Sequence, residues 1–183
     1  FSVYSVADEK SDSIRVLAFV SIPNHVLQFL KTANGFEARY ETTISIKKKK
    51  GKQVGRKNWS NTLVTDDYLK STSRKTITIH HHEFKVASGD YIISAEILDK
   101  DSNDSGVKNL NLKYSKHKGE VALYSPFFVD YLTGNWGLKK NEIPLLQNLI
   151  GEKVTRTAVF VSGKVKPGSY TLDVSVSNSK KKE

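Results

Sequence analysis

Three consecutive histidines, His80, His81 and His82, are the residues in this chain best suited to transition-metal chemistry, because imidazole is the commonest ligand for such ions. They stand in an alternating stretch, Thr76 to Val86, and on a strand successive side chains point to opposite faces. His80 and His82 then share a face, while His81 points away from them with Ile77 and Ile79. Two imidazoles without a third ligand do not specify a site, so the expectation is solvent-facing strand histidines and no metal. Asp99, Asp101, Asn103 and Asp104, in DKDSNDSG, offer oxygen ligands and begin like a calcium loop. The sixth position is Asp104 instead of glycine and the twelfth is Leu110 instead of glutamate, which makes Asp99 to Gly106 a solvated hairpin loop. A calcium site there would need carboxylates from another loop.

Charge supplies the next candidate. The chain has 183 residues and a formal net charge of +10, and much of the excess lies in two clusters. Lys47, Lys48, Lys49, Lys50, Lys52, Arg56 and Lys57 form one, and Lys180 to Lys182 the other. An acidic partner, whether polysaccharide, nucleic acid or a lipid surface, is what such a cluster would take, and a solvated hairpin tip is the plainer expectation. Aromatic residues do not interleave with the basic run, as they would on a platform that stacks bases. Trp136, in a Gly-Asn-Trp-Gly loop, is a candidate interaction aromatic; the alternative is an indole that folds back over the end of its own module.

For catalysis nothing converges. There is no nucleophile elbow, no phosphate-binding glycine loop, no HExxH helix and no paired carboxylates in a recognisable frame. Without a cysteine the chain has no disulfide, no thiolate nucleophile and no thiolate metal site. The expectation is a non-enzymatic protein with no cofactor. No apolar run approaches the ~18 residues that a transmembrane segment needs. A chain that begins at Phe1 reads either as a mature secreted or periplasmic polypeptide or as a fragment.

The elements that would carry these residues show an internal echo. Val86 to Asp99 reads VASGDYIISAEILD and Val165 to Asn178 reads VKPGSYTLDVSVSN. Each has a glycine (Gly89, Gly168), a tyrosine two residues on (Tyr91, Tyr170) and apolar residues at every second position thereafter, which is the period of a half-buried strand. Such a Gly-x-Tyr can form a tyrosine corner, in which the phenol satisfies a backbone group at a turn. The fold class that follows is all-β, with tandem immunoglobulin-like Greek-key β-sandwiches at 1–118 and 119–183.

Within the first module, Ser13 to Ile22 passes from alternation into a continuous apolar run, as a strand covered on both faces would. Val26 to Lys31 is ambiguous between strand and helical turn. Asn34-Gly35 is a turn signal, and Phe36 to Lys47 alternates along its whole length. The lysine run and Gly51 make a hairpin tip, Gln53 to Trp59 return, and Ser60 to Arg74 is a polar connection. Thr76 to Val86, Tyr91 to Asp99 and Val107 to Ser115 complete about seven strands. The second module offers Val121 to Tyr124, Phe127 to Tyr131, Ile143 to Leu146, Val154 to Val161 and Tyr170 to Ser177. It lacks a closing strand, and is therefore either truncated or completed by another chain.

The order RVLAFVSIP, VLQFLK, GFEARYETTISI with its lysine hairpin, Trp59 and SGDYIISAEILDKDS resembles the N-terminal β-sandwich region of bacterial GWxTD-domain proteins over roughly Ser13 to Ser125. The motif that names that family is absent, since Gly134-Asn135-Trp136-Gly137 does not match it. The resemblance implies a periplasmic, outer-membrane-associated or extracellular protein with no functional residues to carry across. Together these readings give a structural or interaction protein of the bacterial envelope or exterior, a scaffold or assembly component with a protein partner or with copies of itself. The alternative is a binding module that holds an acidic polymer on the basic hairpin.

Overall fold

A computed structural model describes residues 1–8, 11–116, 119–130, 157–173 and 175. These residues are nearly all β, with one four-residue helix, and most of them build a two-sheet sandwich. One sheet has the order β1-β2-β6, from Ser2–Ala7, Ile14–Pro23 and Ile77–Val86. The other is built on β4 (Gly35–Lys48), which pairs with β5 (Gln53–Thr65) on one side and with β7 (Gly89–Asp99) on the other. The ten-residue β8 (Ser105–Tyr114) pairs with β7 and closes that side. All these pairs are antiparallel, and the chain crosses between the sheets after β2, β5 and β6, as a Greek key requires.

Alternation explains the core. Ile14, Val16, Ala18, Val20 and Ile22 of β2 meet Ala38, Tyr40, Ile44 and Ile46 of β4, with Phe84 and Val86 from β6 and Tyr91, Ile93 and Ala95 from β7. The middle of β2 is also buried on its other face. Leu17 and Phe19 pack there with Val6 against Phe127 and Phe160. Those two phenylalanines come from the antiparallel pair β10 (Phe127–Asp130) and β11 (Thr157–Phe160). The apolar run in β2 therefore has the two covers that it calls for, and each large side chain so buried stabilises the fold by about 1.5–3 kcal/mol.

The structure resolves the ambiguous early segment and corrects the extent of the return strand. Val26 to Lys31 is a 3₁₀ turn at Asn24–Val26 followed by the three exposed residues of β3 (Leu30–Thr32). The strand that fills its place is β1, whose short SVYSVA sequence carries a weak signal and gains its order from pairing with β2. The return strand does not stop at Trp59 but runs on to Thr65, because β4 continues back to Phe36 and keeps supplying a partner. A helical turn, α1 (Tyr68–Ser71), follows, capped by the Asp67 carboxylate on Leu69 N at 2.8 Å.

The Gly-x-Tyr element is a tyrosine corner in the first copy. Tyr91 is 2% exposed and donates its hydroxyl hydrogen bond to Ala87 O at 2.9 Å, with Gly89 at φ 156° letting the chain double back beneath the ring. In the second copy the Tyr170 ring lies over Gly168 in the same way, its Oη 3.3 Å from where a glycine Cβ would stand, the distance found at Gly89. The strand expected at Tyr170 to Ser177 does not form over its described residues, and Tyr170 and Leu172 are 46% and 64% exposed. Its counterpart β7 is held between β4 and β8, and no neighbouring strand flanks residues 170–173 among the described residues. We expect Tyr91→Phe to lower stability by about 1 kcal/mol in urea unfolding, one buried hydrogen bond, leaving the slope with denaturant unchanged.

The described part of the second module is docked on the first. Beside the Phe127 and Phe160 contact, Ala7 N donates to Ser162 Oγ at 3.3 Å and the Lys164 ammonium reaches Ser11 O. The short pair β9 (Val121–Leu123) and β12 (Gly163–Val165) borders a shallow cleft with Asp12, Tyr114 and Tyr124. Burial, with the Tyr114 hydroxyl nearby, holds the Tyr124 phenol well above its ordinary pKa. Four short strands in two pairs do not make a second sandwich, so tandem sandwiches stay an expectation that falls largely on residues outside the described ones.

Candidate functional site

The basic hairpin is where the structure gathers uncompensated charge. Strands β4 and β5 pair as far as Lys47 and Gln53, and their connection carries Lys48, Lys49, Lys50 and Lys52 at exposed positions. The tip is tied down by Lys48 N to Lys52 O at 3.1 Å and by Lys49 N to Asp90 O at 2.8 Å. Asp90 and the first three tip lysines line a shallow groove. Gly55 allows the hairpin to close over the core, since a Cβ there would stand 2.7 Å from the Phe84 ring.

The seven expected cations divide between the two faces of the sheet. Lys47 and Arg56 lie on the outer face of the sheet, whereas Lys48 pairs with Tyr91, a core position, and so has the parity of the opposite face, as does Lys57, which pairs with Ile44. There its ammonium sits 5.9 Å from the Trp59 ring centroid. Among the described residues none of the seven makes an ion pair; the salt bridges are Arg15–Glu83, Arg39–Asp101, Lys85–Asp8, Lys100–Glu41 and Lys116–Asp12. Asp90 shares the groove with the tip lysines and offsets part of their charge.

The other candidates are used inside the fold. His80 and His82 do share a face, but it is the core face. His80 is 9% exposed, with Nε2 2.9 Å from Tyr40 Oη and its ring against Trp59. His82 is half-buried between Trp59 and Phe84. His81, on the outer face, stacks on Phe19. The expectation of solvent-facing histidines fails for His80 and His82 because Trp59, on the core face of β5 in the other sheet, packs against both rings. Burial lowers the pKa of both rings, the His81 charge adding to this at His80 and the Lys57 and His81 charges at His82.

The Asp99 loop is a hairpin turn, as expected, and the Asp99 and Asp101 carboxylates accept backbone hydrogen bonds. Asp99 Oδ2 accepts from Gln28 N at 2.6 Å, and its Oδ1 accepts from Asp101 N and Ser102 N at 2.9 and 3.2 Å. Asp101 accepts from Arg39 N at 2.8 Å and from the Arg39 guanidinium, which holds its carboxyl below the usual range. Asn103 takes the left-handed conformation at φ 63° that the turn needs. Trp136 and Lys180 to Lys182 lie outside the described residues.

No protein-family model matches the chain, and no curated protein or solved structure is similar enough to it to count as a match. Among the described residues no helix is long and apolar enough to cross a membrane.

Proposed function

We propose that this chain is a non-enzymatic structural or interaction protein of the bacterial envelope or exterior, a scaffold or assembly component that works through rigid sandwich surfaces and strand edges. The observation that supports it most is β8, a ten-residue strand with one pairing partner among the described residues and with Ser105 to Asn109 all exposed. Its free backbone donors and acceptors can accept a strand from a partner or a second copy. The compartment rests on the resemblance to GWxTD-domain proteins. Solution mass by light scattering, over a range of concentration and salt, tests self-assembly: a salt-resistant oligomer is expected, and Val107→Lys, which places a charge on the edge, is expected to dissociate it. A monomer at every concentration would sink self-assembly through this edge.

A second reading has its own observation. The seven hairpin cations without ion pairs support a module that binds an acidic polymer, and that binding should fall steeply as salt rises, where strand pairing should not.

A further inference from the structure

Resting on the acidic-polymer reading, we infer that the partner is an anionic polysaccharide and that its docking surface is the outer face of the β5-β4-β7-β8 sheet together with the hairpin tip. This face is on the far side of the sandwich from the Phe127 and Phe160 cover, which lies on the β1-β2-β6 sheet. Register puts its side chains in rows across four strands. One row reads Arg56, Ser45, Ser94, Asn109, and the row nearer the tip reads Gln53, Lys47, Ile92, Asn111. The next row away from the tip is Asn58, Thr43, Glu96, Val107.

The chemistry of those rows selects the ligand. Hydroxyls and amides dominate, and they both donate and accept, which matches the hydroxyl groups of a sugar chain. They are held in place: Ser94 Oγ donates to Asn109 Oδ1 at 2.6 Å, and Arg56 lies 3.5 Å from Thr43 Oγ1. Strands about 4.8 Å apart present such groups at short, regular intervals to a polymer lying across them. Lys47 and Arg56 stand within the array and the tip lysines border it, so acidic groups on the polymer meet unpaired cations. Glu96 is the one carboxylate in these three rows, and it stands in the row farthest from the tip. No aromatic side chain occurs in any of the three rows, so the face has nothing on which to stack a base.

The test is calorimetric titration at low salt with polygalacturonate, with neutral dextran and poly(dT) as the comparison polymers. Polygalacturonate is expected to bind, dextran to give no detectable binding, and the triple variant K49E/K50E/K52E to weaken polygalacturonate at least about tenfold. The variant N109A/N111A changes only exposed residues and removes no charge; it is expected to weaken polygalacturonate about fivefold or more and to leave any poly(dT) binding unchanged. If poly(dT) binds at least as tightly as polygalacturonate, or N109A/N111A leaves polygalacturonate unchanged, the polysaccharide assignment is wrong while the acidic-polymer reading survives. Dextran binding as well as polygalacturonate, or no polyanion binding at all, would overturn both. Circular dichroism of each variant shows whether the sandwich is intact.

Discussion

Asp99→Ala is expected to destabilise the protein by about 3 kcal/mol, because a buried carboxylate that accepts three backbone hydrogen bonds leaves three donors unpaired when it goes. Asp99 is 3% exposed, so water can reach those donors only if the loop opens. Two of the bonds shape the β7-β8 turn, and the third, from Gln28 N, fastens that turn to the segment between the 3₁₀ turn and β3. Asp99→Asn keeps one acceptor oxygen and should lose about half as much. Urea unfolding of the two variants checks the order. If Asp99→Ala unfolds within about 0.5 kcal/mol of the parent chain, the carboxylate is not the clamp described here.

That residue also marks the limit of what the sequence makes legible. The spacing of Asp99, Asp101, Asn103 and Asp104 identifies a turn, and the left-handed Asn103 is local chemistry of the kind that spacing can carry. The Gln28 contact crosses 71 positions, and no local pattern announces it. The same division holds elsewhere. Strand β4 alternates without a break and is readable residue by residue, as is the double burial of β2 from its unbroken apolar run. The extension of β5 to Thr65 is not, since SNTLVT is a weak strand sequence held by its partner. For the candidate site, the lysine run and its hairpin were legible from composition and Gly51. The placement of Lys57 on the other face depends on register across the hairpin, where a bulge between Ile46 and Lys47 shifts the pairing and reverses simple counting.

His80 should make the fold sensitive to mild acid. Its ring is in the core, hydrogen-bonded to Tyr40 Oη, and burial is the main reason that its pKa is lowered, with the His81 charge second. His82, on the same face, is lowered for the same first reason. The groups that face this pair are the Tyr40 phenol from β4 and the Lys57 ammonium from β5, with His81 and Glu83 beside it on β6; Glu83 alone favours the charged form, at His82. A group whose folded pKa lies below its unfolded one binds its proton more readily when the chain is unfolded. Stability is therefore complete above the ordinary histidine value of about 6.5 and is lost as pH falls through the lowered folded values. Urea midpoints should be level from pH 8 to 7 and decline from 6.5 to 5. The double variant His80→Gln/His82→Gln removes both titrations while leaving an amide that can still meet Tyr40, so its midpoint should be nearly flat over the same range. His80→Leu, which removes the imidazole partner of the Tyr40 hydroxyl and leaves it Thr78, should instead cost about 1 kcal/mol at pH 8, where the titration plays no part. An undiminished decline in the double variant would assign the acid sensitivity to other groups and leave His80 a packing residue.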